Sequence, residues 1–383
     1  MGRALRRSPW DPDPAATELW DRTAREQLAW LREHPEGLAA LVPPTEARAV
    51  VLLIEPRADP RIEFVLRAWA HVLGTAAPRK WGLVVAHGTE NVEHVRDIVS
   101  SFRAPAALLN VGVADLKGRY NGLLTDDAFW AKIPNENILL VQTDTLPLGA
   151  RGLGAKGDWG FTQFDYVGAP WWARCPLSGF PFVPWDAHPA VYEPAFVPEG
   201  HAMRELAPHY VGNGGLSFRK RSAMIACCER FVLAQVREAA ERGPPHPRRE
   251  ALLAREPLLV AVGGGRPQAP VTNEDVFFAV ACKRMGLKVP SRDAAVHFAV
   301  EAVAPLTLDP DGGPLAAGLH RCYSYMDAGT LGILLRSSVI ARAMRSPRPP
   351  LPDDDGGGGA PSPRRTRAGV SPRTKKARGK RKS

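Results

Sequence analysis

Cysteine is scarce and unpatterned in this chain. Five residues (Cys175, Cys227, Cys228, Cys282 and Cys322) occur in 383, an odd number with no C-x-x-C spacing. That excludes the usual disulfide framework and the usual cysteine zinc site, and fits reduced thiols in an intracellular protein. Long hydrophobic runs are missing as well. The longest aliphatic stretch, "AVVLLI" at 49–54, falls far short of the ~20 apolar residues that cross a bilayer. The first residues, "MGRALRRSPWDPDPAATELW", carry basic side chains but no apolar core of signal-peptide length. Arg6 stands where a myristoylation motif after Met1-Gly2 needs Ser or Thr. The ten histidines show no H-x-x-x-H or H-E-x-x-H spacing, and neither glycine-rich stretch, "VGNGGLSFRKRS" or "VGGGRP", ends in the Lys-Ser/Thr of a phosphate-binding loop. No internal repeat is present. The expectation is a soluble, intracellular protein with no membrane span.

Charge of one sign is also missing from most of the chain. The net +10 arises from 50 Lys/Arg against 40 Asp/Glu, and residues 361–383 alone hold ten Lys/Arg and no acid. Without that tail the body is neutral. The tail is therefore the only nucleic-acid signal, with residues 364–382 as the candidate segment, or else a nuclear localisation signal or a solubilising terminus. The location expected is cytoplasmic or, through the tail, nuclear. From Ser346 onward Pro, Gly, Ser and charge dominate, a composition that predicts disorder.

What the sequence does contain is alternation. "RAVVLLIEPR" (48–57), "WGLVVAHG" (81–88) and "AALLNVGV" (106–113) read as strands, the first buried on both faces. Helical patterns lie between them at 61–73 and 91–102, and an amphipathic helix precedes them at 15–33. "NILLVQTDTLPLG" (137–149) supplies a fourth strand and "FDYVGAPWW" (164–172) another. "NEDVFFAVACKRMG" (273–286) reads as a helix with Asn273 as N-cap and Gly286 as its stop. Such alternation predicts an α/β domain with a mostly parallel central sheet flanked by helices. The domain runs over 48–345, with a helical extension at 1–47, a Pro/Gly-rich surface insertion at 241–270 and the tail at 346–383.

Four polar clusters stand out, each with two readings. "QTD" (142–144) ends the fourth strand, where open α/β sheets bind ligands. Asp144 is either a turn aspartate or a carboxylate holding Mg²⁺ or Mn²⁺ against a diphosphate. In "VGNGGLSFRKRS" the glycines either form a tight turn or let the backbone approach a ligand. In "NEDVFF" the acids Glu274 and Asp275 either complement a helix N-terminus or supply a general base. In "GLHRCYSY" (318–325) His320 is a packing residue or completes a metal site with a distant aspartate.

The order "AVVLLIEPR…WGLVVAHGTEN…YNGLL…FW…ENILLVQTD…FDYVGAPWW…VGNGGLSFRKRSAM…NEDVFF…GLHRCY" resembles a domain-of-unknown-function family grouped with nucleotide-diphospho-sugar transferases of the GT-A type. The resemblance covers roughly 48–325, outside the insertion. It implies a GT-A-like, Rossmann-like fold and a glycosyltransferase of hexosyltransferase type. Such an enzyme moves a sugar from a nucleotide-diphosphate donor to an acceptor hydroxyl on a glycan or protein, assisted by Mn²⁺ or Mg²⁺. Asp144 and His320 would then hold the metal. Glu55, Arg57, Tyr120, Asn121, Gln142 and Thr143 would join Asp144 in binding the donor. Asn213, Gly214, Gly215 and Trp171 would line the sugar or acceptor pocket. Asp275 would be the base of an inverting-type element, with Glu274 orienting it or the sugar. Gln142 stands where the D-x-D motif of such enzymes has its first acid, and its amide can hydrogen-bond there. Two other functions compete: a non-catalytic sugar-nucleotide or glycan-binding module, and a nucleic-acid-associated protein acting through the tail. Removing residues 346–383 is expected to abolish retention on immobilised DNA or RNA; retention that survives the truncation would place that binding in the body.

Overall fold

The computed structural model describes residues 13–78, 80–113, 120–149, 160–171, 206, 211–243, 247–260, 269–271, 273–301, 316–324 and 326–346. The expected disordered tail, apart from Ser346, lies outside the described residues.

The chain opens with helix α1 (Pro14–Glu33) and the short α2 (Glu36–Ala39). Asp13 caps α1, its carboxylate accepting from Ala15 N at 3.0 Å, with proline in the first turn. Strand β1 (Ala49–Glu55), helix α3 (Arg61–Ala76), strand β2 (Trp81–His87), helix α4 (Val92–Phe102) and strand β3 (Ala106–Asn110) follow in the expected alternation. Two short helices, α5 (Tyr120–Leu124) and α6 (Asp127–Ala131), lead into β4 (Asn137–Val141) and β5 (Thr145–Pro147). Beyond them come β6 (Tyr166–Pro170), β7 (Val211–Lys220) and helix α7 (Arg221–Arg230).

Six of these strands form the central sheet in the order β3-β2-β1-β4-β7-β6. β1 pairs in parallel with both β2 and β4, and β2 with β3. β7 is antiparallel to β4 on one side and to β6 on the other. The sheet is therefore mixed, which corrects the expectation of a mostly parallel one. The physical reason is visible in β7 itself. "VGNGGLSFRK" lacks the continuous Val/Ile/Leu run of an interior parallel strand, and the strand–helix alternation that signals parallel crossovers stops at β4.

Period-two alternation divides the core between the two faces of the sheet. Val51, Leu53, Leu83, Val85, Leu139, Val141, Leu216 and Phe218 join one apolar cluster with Trp20, Trp69 and Leu335. Val50, Leu52, Ile54, Val84, Ile138, Leu140 and Tyr166 join the other with Trp130, Phe277 and Phe278. Each such side chain, fully buried, contributes about 1.5–3 kcal/mol. α1 lies on the first face against α3, so α1 and α2 are packed into the same core.

The second half of the chain adds β8 (Phe231–Val232), α8 (Ala234–Arg242), α9 (Arg249–Ala254), β9 (Glu256–Pro257), β10 (Leu259–Val260) and β11 (Ala269–Pro270). In this region Leu258 is buried and Arg255 pairs with Asp127 at 2.7 Å, tying the segment to the start of α6. Then come α10 (Glu274–Arg284), α11 (Arg292–Ala295), β12 (Ala299–Val300), β13 (Gly318–His320), α12 (Ala328–Ser337) and α13 (Val339–Arg345). No helix among the described residues is long and apolar enough to cross a membrane.

One glycine tests how close α2 and α3 stand. A methyl group on Gly74 would lie 2.9 Å from Gly37 Cα and 2.8 Å from its carbonyl carbon. Gly74→Ala should gain up to ~1 kcal/mol of helix propensity, yet backbone cannot yield cheaply. A net loss of about 1–3 kcal/mol is expected in urea unfolding; a stabilised variant would show that the two helices separate freely.

Candidate functional site

The strand order changes direction between β1 and β4, and in open α/β sheets ligands bind beyond the carboxyl ends of the strands at such a point. Both strand ends are polar here. Past β4, Thr145 bonds back to Gln142 O through its amide (3.1 Å) and its hydroxyl (2.8 Å), closing a tight turn over residues 142–145. From α3 beneath, Trp69 Nε1 donates to Thr145 Oγ1 at 3.1 Å and pins the turn. Thr143 is a buried residue of that turn.

The turn sends the chain into a second, three-stranded sheet, β12-β13-β5. β13 is antiparallel to β5, with His320 opposite Thr145, and parallel to β12, with Leu319 opposite Val300. Arg321 N donates to Asp144 O at 2.9 Å. Those registers bring together four residues from three separate segments of the chain. His320 Nε2 lies 3.5 Å from Asp144 Oδ1 and 3.2 Å from Gln142 Oε1. Its other nitrogen, Nδ1, lies 3.3 Å from Glu301 Oε1, close enough for charge attraction but not aligned as a hydrogen bond. Burial disfavours the imidazolium, but Glu301 and Asp144 outweigh it and raise the His320 pKa above its ordinary value.

Asp144 and His320, expected to share one ion, thus converge. Two ligands each bound at about 2.0–2.2 Å stand roughly 3 Å apart around one ion. Asp144 Oδ1 is buried and has no hydrogen-bond partner among the described residues; its charge partner is His320 Nε2. Glu301 lies beside the far nitrogen of the His320 ring, on the side away from Asp144. Among the described residues no group of three or more His, Cys, Asp and Glu is arranged to hold a metal ion.

The antiparallel pairing of β7 with β4, Val141 opposite Leu216, sets the "GNGG" segment beside the turn. The pairing of β7 with β6 jumps from Gly168–Ser217 to Ala169–Asn213, a bulge over residues 214–216. Glycine is required in it. A methyl group on Gly215 would sit inside the His320 imidazole, and one on Gly214 would meet the Glu274 carboxylate, Asp275 Cβ at 3.0 Å and Arg219 Nη2 at 3.1 Å. The side-chain-free backbone therefore separates His320 on one side from the carboxylate pair on the other. Asn213 braces the bulge, donating to Glu301 Oε2 at 2.9 Å and accepting from Gly215 N at 3.2 Å.

Glu274 and Asp275 open α10, Glu274 buried and Asp275 partly exposed. Burial, and then the neighbouring charge of Glu274, push Asp275 up to about 7; burial also raises Glu274. α5 contributes two residues expected on the donor side. Tyr120 OH accepts from Gln142 Nε2 at 3.0 Å, and Asn121 Oδ1 accepts from Glu274 N at 3.4 Å. Trp171 is partly buried against the second core. Glu55 and Arg57 stand at the end of β1, paired by two hydrogen bonds of 2.7 Å, with Asn91 Nδ2 donating to the carbonyls of both residues. They face the same edge of the sheet but belong to a separate ion pair.

Sequence reasoning missed Glu301 and Arg219 as site residues. Glu301 follows the strand-like "HFAV" as Asp144 follows "NILLV", the same signal in a weaker form. It also missed Tyr323, whose hydroxyl burial and the charge of Asp144 push up and which bonds to Arg61.

Residues 109–320 match a family profile described as "Protein of unknown function (DUF5672)". No curated protein matches the chain. The matched segment, more than half of the chain, begins at the end of β3 and closes on His320, so it carries the whole cluster around Asp144, His320 and Asp275. Glu55, Arg57, α1 and α3 fall outside it.

The pKa of Asp275 makes stability depend on pH. Its folded value lies above the unfolded one, so its contribution is fully present below about pH 4 and is lost as pH rises through about 7. Asp275→Asn removes that loss. Relative to wild type, the variant should gain roughly 2 kcal/mol between pH 5 and pH 8 in denaturant titrations; a difference that stays flat would show that Asp275 titrates as a solvated carboxylate.

Proposed function

The chain belongs to the DUF5672 family of proteins of unknown function, and from the cluster within the family segment we propose that it is a sugar transferase. It takes a sugar from a nucleotide-diphosphate donor and passes it to an acceptor hydroxyl with the help of a divalent cation. One observation carries this reading. Asp144 Oδ1 and His320 Nε2 face each other 3.5 Å apart at the tip of β4, and a carboxylate pair lies across a backbone of two glycines from them.

The charge balance supports it. Among the described residues, Asp144, Glu274, Asp275 and Glu301 bring four carboxylates to the site against Arg219, Arg321 and, when protonated, His320. A diphosphate would be repelled from such a site without a further cation. A divalent ion held by Asp144 and His320 supplies that charge and stabilises the diphosphate as it leaves. Glu301, itself held by Asn213, stands beside the other nitrogen of the His320 ring. Asp275, raised to about 7, is matched to accept the acceptor's proton near neutral pH. Gly214 and Gly215 let His320 and the carboxylate pair approach the same stretch of backbone from its two sides.

A second reading has its own observation. Gln142 Oε1 occupies His320 Nε2 at 3.2 Å while its amide nitrogen bonds to Tyr120, an arrangement that suits a metal-independent binding module. A panel of UDP- and GDP-sugars with Mn²⁺ separates the two. Transfer predicts nucleotide release from at least one donor. Asp144→Asn should weaken metal-dependent donor binding about 10–100-fold, and Asp275→Asn should bind the donor but turn over about 10²–10⁴-fold more slowly. Donor binding that ignores Mn²⁺ and yields no product would favour the binding module. No release from any donor, with Asp144→Asn binding nucleotides like wild type, would overturn the metal-site reading.

A further inference from the structure

Arg219 is a fully buried charge. It projects from β7 two residues beyond Ser217, with no exposed surface, into a box of three aromatic rings. Its guanidinium carbon lies 5.1 Å from the centroid of Phe278, 5.2 Å from Tyr166 and 5.4 Å from Trp130. Burying an ion this way is costly unless its charge and donors are met. Nε donates to Ser217 Oγ at 2.8 Å and Nη2 to Gly214 O at 3.3 Å. The same Nη2 lies 3.7 Å from Glu274 Oε1, the ion pair of this guanidinium. Nη1 has no hydrogen-bond partner among the described residues. The surroundings fix this guanidinium in one place, with the Gly214 carbonyl and the Glu274 carboxylate both against Nη2.

Glu274 and Asp275 are consecutive yet unequally placed: Glu274 is buried beside Arg219, while Asp275 is partly exposed. We propose that Arg219 is a positioning residue that acts through Glu274, holding it inward as the charged carboxylate of the pair at neutral pH and leaving the partly exposed Asp275 as the member that exchanges a proton with solvent. The groups facing the pair agree with this division. Burial opposes a charge on both carboxyls and raises both, and Arg219 from β7 favours a charge on each; His320 from β13 adds to that at Glu274, whereas Glu274 itself and Glu301, beyond β12, oppose a charge on Asp275. Tyr166 from β6 and Tyr120 from α5 stay neutral, both hydroxyls pushed up first by burial. Cys282, on α10 itself, is likewise held as a thiol by its hydrogen bond with Cys227 and by burial.

The consequence for catalysis rests on the transferase reading, but the division of roles does not need a substrate to be tested. Carboxyl ¹³C resonances of the full chain, labelled at Asp and Glu, are followed against pH without donor or acceptor. Wild type should show one carboxyl titrating in the neutral range, identified by its loss in Asp275→Asn. Arg219→Met keeps the aromatic box filled but removes the charge. It should bring Glu274 up by about one pH unit or more, the usual effect of losing a nearby opposite charge, so that two carboxyls titrate together. Arg219→Lys should restore the single titration. Glu274→Gln removes the neighbouring charge and should lower the Asp275 midpoint; it serves alone if Arg219→Met does not fold. A wild-type midpoint for Glu274 in Arg219→Met, or an unmoved Asp275 in Glu274→Gln, would overturn the assignment. If the titrations behave as expected but no sugar donor is turned over, the reaction is wrong and the role of Arg219 stands.

Discussion

The register of β4 against β7 is the constraint on which the site depends. Because the two strands run antiparallel with Val141 opposite Leu216, the carboxyl end of one lies beside the amino end of the other. The "QTD" turn and the "GNGG" bulge, some seventy residues apart, become neighbours. A parallel pairing would have put the glycines at the opposite edge of the sheet. Since the side-chain period of a strand is two, a slip of one residue would also exchange the faces to which Ser217 and Arg219 point.

Two glycines then make the rest of the arrangement feasible. His320 occupies the space where a Gly215 side chain would lie, and Glu274 that of Gly214. The small sheet β12-β13-β5 delivers His320 and Glu301, and α10 delivers the carboxylate pair with its N-terminus toward them. Each side chain is held by another. Asn213 holds Glu301, Tyr120 holds Gln142, Asn121 accepts from the amide of Glu274, and Arg219 stands against its carboxylate. Such mutual bracing orients the charged groups toward one another.

Most of the fold could be read from the residues. "RAVVLLIEPR" became β1, buried on both faces, because a continuous branched aliphatic run has no polar side to turn outward. The helix at 273–286 appeared as α10, with Asn273 at its N-cap position and Gly286 just past its end at φ +66°. The direction of β7 was not legible, because hydrophobic alternation has the same period in parallel and antiparallel strands. The proximity of Asp144 and His320 was an expectation from motif order, and the geometry brings them to 3.5 Å.

By itself, the sequence determined the α/β class, the strand ends that carry polar residues, and the glycines that permit close approach. Those follow from local chemistry: side-chain shape, periodicity and backbone freedom. Only the tertiary structure decided what Arg219 and Glu301 do. The alternation Leu216-Ser217-Phe218-Arg219 would put the arginine on a solvated face of an ordinary antiparallel strand, and burial came from Trp130, Tyr166 and Phe278, which arrive from three other segments. Glu301 follows a strand of only two residues, too short to leave a pattern, and it acquires a role because β13 sets a histidine beside it. Charges interact through space with whatever the fold places around them, and sequence spacing does not encode that distance.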